Sequence, residues 1–289
     1  MSVIGEFWAM TTEGDGNYEL QKFLESEGAE VDIQGVTNWL LFMIWENKFD
    51  RLRRIELRRD DDGRKGLKGK NASKTLLTLK LADKLVRAHF QMYAKAVGLN
   101  NYHLPNMDEI AELAAKHYDN NVRGGEGHME VGKLVHFVED RVNHMTVSVK
   151  PFGCMPSSGV SDGVQSLITA KYADAIFLPI ETNGDGKVNV QSRIQMMLFR
   201  ARQKAREEYE RALEEASLSE NEVRQRAAVG RFASSMWRPR HVYAGNATNI
   251  VYAVSGAWWR KRLLAWSPVR TLGALFRPVR MLRPSLEQD

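Results

Sequence analysis

The chain has 289 residues, 43% of them hydrophobic and 27% charged, with 22 Gly and 8 Pro. This excludes a disordered tail, a collagen or a coiled coil and leaves room for one large domain or two ordinary ones. A single cysteine, Cys154, excludes an intramolecular disulfide and any multi-cysteine metal site built within the chain, and the formal net charge of +5 divides into an acidic and a basic end.

Residues 1–10 lack the basic patch and apolar stretch of a signal peptide. No apolar run reaches the ~20 residues of a membrane-spanning helix. The expected compartment is therefore the cytoplasm. Residues 2–9, apolar and aromatic, predict a strand. A loop at 11–17 leads into a helix near 18–27, with Leu20, Phe23 and Leu24 at helical spacing and Gly28 as its stop. A short strand at 29–34 completes a strand–helix–strand unit, the start of a parallel sheet. This part is acidic: the first 36 residues hold Lys22 against eight carboxylates.

Residues 37–59 predict a helix with Thr37 as N-cap, 60–72 a polar turn region, 73–97 a long amphipathic helix, and 107–117 a helix capped by Asn106. No strand pattern separates them, so about 37–117 form a helical insertion. After a turn at 123–127 and a helix at 130–142, the α/β rhythm resumes. The pattern predicts strand 144–149, loop 150–159, helix 161–172, strand 174–180, loop 181–190 and helix 191–216, then a further helix at 220–234. Parallel strands are placed near 3–7, 29–33, 145–149 and 175–178. The fold class is α/β: a Rossmann-like parallel sheet domain over 1–240 with its insertion, then a basic, aromatic and poorly defined tail over 241–289. The last fifty residues carry eight bases against Glu287 and Asp289. Such an end contacts an acidic surface or is simply solvated; a nucleic-acid partner is not expected.

The most informative segment is Lys150-Pro151-Phe152-Gly153-Cys154-Met155-Pro156-Ser157-Ser158-Gly159. It lies between a strand and a helix, where parallel sheets bind ligands. Free backbone N–H groups and a helix dipole there favour a thiolate, although a lone Cys is also a common space-filler. Two further loops resemble each other, Thr12-Glu13-Gly14-Asp15-Gly16-Asn17 and Thr182-Asn183-Gly184-Asp185-Gly186-Lys187. The second mimics a calcium loop at Glu181, Asn183, Asp185 and Gly186, but Ser192 stands where a bidentate Glu belongs. Parallel strands deliver their following loops to one sheet edge, so Cys154 is expected to share a cleft with Gly153, Glu6, Asp15 and Asn183. His128, His136 and His144 are eight apart, too far for one helical metal face. Signatures of nucleotide-binding loops, zinc proteases and serine hydrolases are absent. Arg123-Gly124-Gly125-Glu126-Gly127 offers a flexible turn or a phosphate cradle.

Val3-Ile4-Gly5-Glu6-Phe7 with the first Gly-Asp-Gly loop, followed by Val149-Lys150-Pro151-Phe152-Gly153-Cys154-Met155-Pro156, resembles the 2-hydroxyacyl-CoA dehydratase family and its CoA-substrate-specific enzyme activase relatives. The likeness is to the carboxy-terminal part of the large activators of 2-hydroxyglutaryl-CoA dehydratase, and runs from about Val3 to Arg202. It also covers Glu139-Asp140-Arg141-Val142-Asn143 and Asn189-Val190-Gln191-Ser192-Arg193-Ile194. The resemblance implies Rossmann-like domains, a [4Fe–4S] cluster on cysteines, and an ATP-hydrolysing activator that injects electrons at low potential. Cys154 matches a cysteine taken as a cluster ligand. The family's other cysteines and the activator's ATPase signature are missing, so the cluster would be shared with a cysteine-bearing partner subunit. The alternative is a non-catalytic α/β binding or assembly module in which Cys154 is structural.

Overall fold

The computed structural model describes residues 1–55, 57, 66–68, 71–99, 102–122, 125–157, 162–184 and 186–256. Its strands β1 (Ser2–Gly5), β2 (Asp32–Ile33), β3 (Thr146–Pro151) and β4 (Phe177–Thr182) form one sheet in the order β2-β1-β3-β4. All three pairings are parallel; Val3 lies between Ile33 and Val147, Gly5 opposite Val149, and Pro151 opposite Thr182. The expected parallel α/β sheet is thus present. From β1 the chain steps outward to β2, then crosses back beyond β1 to β3. The order reverses between β1 and β3, and in open α/β sheets the crevice at such a reversal is where ligands bind.

The connection β1 to β2 differs from the expectation. The strand ends at Gly5, and the apolar run after it forms helix α1 (Phe7–Thr11), whose N-cap Glu6 accepts the Ala9 N–H at 2.8 Å. A side-chain cap on an orphan amide starts a helix there and ends the strand. The first Gly-Asp-Gly loop therefore follows a helix, and Asp15–Asn17 is itself a 3-10 turn before α2 (Leu20–Ser26). The connection β2 to β3 holds α3 (Val36–Arg54), α4 (Ser73–Ala96), α5 (Met107–Ala114) and α6 (Gly127–Glu139). Gly35, not Thr37, is the N-cap of α3. After β3 come α7 (Asp162–Lys171), β4, the long α8 (Lys187–Ala216), α9 (Glu220–Ala227) and α10 (Asn246–Ser255). Helix α8 starts four residues earlier than expected, and α9 ends before Gly230, whose φ is +60°.

The sheet is covered on both faces. Val3, Val147, Val149, Leu178 and Ile180 pack on one face against Leu20 and Leu24 of α2 and Val190, Ile194 and Leu198 of α8. On the other, Phe177 packs with Val131, Leu134 and Val135 of α6 and Ile168 of α7. The insertion has its own core, Leu41, Phe42 and Trp45 of α3 against Met107, Ile110 and Ala111 of α5, joined to α6 by Met129. Within the segment expected as a tail, α10 packs Val251, Tyr252 and Val254 onto Ala212 of α8 and Val223 of α9. The remainder of that tail, from 257 on, lies outside the described residues, as do most of the 60–72 turn, Arg123, Gly124, Ser161 and Asp185.

Candidate functional site

At the carboxyl edge of the sheet β1 meets β3 with no space to spare. Gly5 has φ +126°, and a Cβ there would lie 2.0 Å from the Val149 carbonyl oxygen. The Glu6 N–H donates to that same oxygen at 2.9 Å. Glu6 therefore stands at the switch point, with its carboxylate engaged as the α1 cap.

Beyond β3 the chain turns through Phe152, Gly153 and Cys154. The Phe152 N–H donates to the Thr182 carbonyl at 3.0 Å, the Gly153 N–H to Glu181 Oε1 at 2.9 Å, and the Cys154 N–H to the Pro151 carbonyl at 3.2 Å. The amides expected to stabilise a thiolate are thus engaged with carbonyls and a carboxylate. Cys154 is half-buried in the loop before α7, and Asp162 already occupies the first turn of that helix. Below the loop, Ser157 donates to Glu130 Oε1 at 2.8 Å with both residues about 1% exposed, and fully buried Lys150 pairs with Asp162.

The two Gly-Asp loops meet through Tyr18, which is buried and left-handed at φ +62°. Its hydroxyl accepts the Asn183 N–H at 2.7 Å and donates to the Asn183 carbonyl. Asp15 lies three residues before Tyr18, and Asn183 two residues after Glu181, the brace of Gly153. Tyr18 and Glu181 thus tie the segments that carry Asp15, Asn183 and Gly153 to one another; Tyr18 is not among the residues that the sequence motifs mark, whereas Glu181 is, as the first position of the calcium-like loop. The calcium-like spacing does not form a loop of its full length, because α8 begins at Lys187 and takes Ser192 into a helix.

The structure adds a buried polar layer that lies outside the motifs of the sequence. Val147 and Val149 face one side of β3, while Thr146, Ser148 and Lys150 face the other, all buried. Central parallel strands are usually apolar on both faces, so the alternation Thr-Val-Ser-Val-Lys was the available signal. Gln165, one turn along α7 from Asp162, is fully buried with both amide atoms unpartnered among the described residues, and the Ser148 hydroxyl is unpartnered too. Nearer β1, Trp39 Nε1 donates to the buried Glu126 carboxylate at 2.9 Å, and burial pushes that carboxyl's pKa up against this bond. One turn beyond Glu130, burial lowers the Lys133 ammonium to about 8, with Asp32 opposing the shift. Asp32 opens β2, so this pair belongs to the amino edge of the sheet, away from Cys154.

The histidines have separate roles: His136 lies 2.8 Å from the Asp140 carboxylate and His144 3.3 Å from that of Glu208, whereas His128 is a packing residue. His128 sits 4.8 Å from the Phe42 ring and 4.5 Å from the Trp45 ring, and burial lowers its pKa to about 4. Among the described residues no group of three or more His, Cys, Asp or Glu side chains is arranged to hold a metal ion. With one thiol, the chain offers a four-iron cluster a single cysteine ligand, so the residues present do not by themselves fit that group. No helix among the described residues is long and apolar enough to cross a membrane. Comparison of the chain with protein-family models, curated proteins and solved structures finds no match.

Proposed function

We propose that this chain is a half-site subunit: its Cys154 completes an iron–sulfur centre carried mainly by a cysteine-bearing partner, in a low-potential system served by an ATP-hydrolysing activator, as the resemblance to 2-hydroxyacyl-CoA dehydratase proteins implies. The observation that carries this reading is the position of Cys154, half-buried on the loop that leaves the carboxyl end of β3 and braced by Glu181 and Ser157. A bound cluster would supply one-electron transfer. The residues of this chain hold the loop, place the Ser157–Glu130 and Lys150–Asp162 pairs beneath it, and would keep one thiol at the edge for a partner.

The second reading, a non-catalytic binding or assembly module, is favoured by the engagement of the loop amides and by the lack, among the described residues, of a group of companion ligands. One experiment separates the two. The chain is co-expressed with the cysteine-bearing product of a neighbouring reading frame, purified anaerobically, and assayed for iron and sulfide. The half-site reading expects little iron on the isolated chain, iron and sulfide on the complex, and lower occupancy in Cys154→Ser. Unchanged iron in the mutant complex would establish the assembly reading instead.

A further inference from the structure

Helix α4 is 24 residues long, about 36 Å at 1.5 Å per residue, yet only Ala94 along it is buried. It is held on one side by α3 and by Arg87, whose guanidinium donates to the Leu104 and Pro105 carbonyls. On the open side Leu77, Leu81 and Leu85, spaced by four, are 59%, 52% and 69% exposed. Val36, Leu40 and Met43 of α3 are exposed as well, and Leu40 shares a groove with Leu85. Two grooves lie along α4. One of 570 Å³ runs between Trp45 and Leu81, and one of 440 Å³ between Leu40 and Phe90. Single exposed apolar residues are ordinary, but a continuous row flanking a groove marks a docking surface.

Charge selects the occupant. Helix α4 carries Lys74, Lys80, Lys84, Arg87 and Lys95 against Asp83 alone, and Asp83 is taken by Arg87. A second copy of this face would set lysine against lysine. The chain's own basic end would do the same. A lipid surface matches the charge but not the concave grooves. We infer that the α3/α4 face docks an acidic amphipathic helix of a partner protein, its apolar side chains entering the grooves and its carboxylates meeting Lys80 and Lys84. This is the helix-in-groove mode of recognition, and it does not depend on the role assigned to Cys154.

The test uses two fluorescein-labelled helical peptides with identical leucine spacing, one flanked by Glu and one by Lys, titrated with the full chain and followed by anisotropy. The acidic peptide should bind at least about tenfold more tightly than the basic one and weaken sharply at about 0.5 M salt, where surface charges are screened. Lys80→Glu with Lys84→Glu should reverse the preference. Leu81→Ser with Leu85→Ser should abolish binding while leaving the circular dichroism and thermal midpoint unchanged, since both leucines are exposed. Equal binding of the two peptides, or binding of neither, overturns the proposal. So does a concentration-dependent dimer that the leucine variant dissolves, which would name a second copy. Binding of the chain to phosphatidylglycerol vesicles, lost in the leucine variant, with neither peptide bound would name a lipid surface.

Discussion

The Tyr18 hydroxyl is the joint between two loops 165 residues apart in sequence, accepting from the Asn183 N–H at 2.7 Å and donating to its carbonyl. One side chain thereby satisfies two backbone groups at the end of β4, and the left-handed backbone of Tyr18 aims it there. Tyr18→Phe removes both bonds and leaves the amide and carbonyl of Asn183 without this partner. The expected loss is about 1–3 kcal/mol, read as a lower urea midpoint with an unchanged slope. A midpoint equal to wild type would mean that water replaces the hydroxyl at no cost.

Gly5 lies in close backbone contact with Val149 where β1 meets β3. Any Cβ there would approach Val149 backbone atoms at 2.0 and 2.6 Å, and the φ of +126° disfavours every L side chain. Backbone cannot yield as a flexible side chain would, so Gly5→Ala should cost at least about 4 kcal/mol, a large part of the ~5–15 kcal/mol of a typical domain. Expression as insoluble material, or a melting midpoint lowered by many degrees, is expected. A soluble variant with the wild-type midpoint would contradict the observed approach of β1 to β3.

The strands and helices of the sheet domain were legible because their apolar periods of 2 and 3.6 are strong. The Phe7–Thr11 helix was not, because the unbroken apolar run Phe7-Trp8-Ala9-Met10 satisfies either period, and only the Glu6 cap decides between them. Of the candidate site, the parallel run of β1, β3 and β4 was legible; Glu6, Cys154 and Asn183 lie in the segments that follow the carboxyl ends of these strands. Its internal wiring was not, since Tyr18–Asn183 and Ser157–Glu130 join segments far apart in sequence with no fixed spacing to betray them. The activating amides expected around Cys154 belong to an idealised loop; here Glu181 and Thr182 of β4 accept two of them.

His128 makes the insertion acid-sensitive. Burial between Phe42 and Trp45 lowers its pKa from 6.5 to about 4. The folded protein thus keeps the imidazole neutral, while the unfolded chain takes up a proton as pH falls below about 6.5. The stabilisation is complete above that pH, declines between 6.5 and 4, and is lost below. At 1.36 kcal/mol per pH unit the decline amounts to about 3 kcal/mol. Urea unfolding of His128→Leu across this window should lack that share of the slope, whatever its offset in absolute stability. An identical pH profile for wild type and variant would show that other groups govern the acid limb.

Cys154 is the only cysteine, so thiol alkylation reports one position without background. Its loop is held from two sides, by the Glu181 carboxylate on the Gly153 N–H and by Ser157 on Glu130. The second contact is the more buried, and losing a hydrogen bond to a buried carboxylate costs about 1–3 kcal/mol. If the loop owes its position to this anchor, Ser157→Ala should let residues 152–157 move and raise the iodoacetamide rate at Cys154 by about tenfold, the kinetic equivalent of 1.4 kcal/mol in opening. Glu181→Ala should raise it less, because its partner amide is exposed and water replaces the carboxylate. Glu181→Gln, which keeps an acceptor oxygen, should leave the rate near wild type. Ser157→Thr, which keeps the hydroxyl, should restore slow labelling where Ser157→Ala does not. Equal rates across Ser157→Ala, Ser157→Thr and wild type would mean that the loop is held by β4 alone, and that Glu130 and Ser157 stabilise α6 rather than position the thiol.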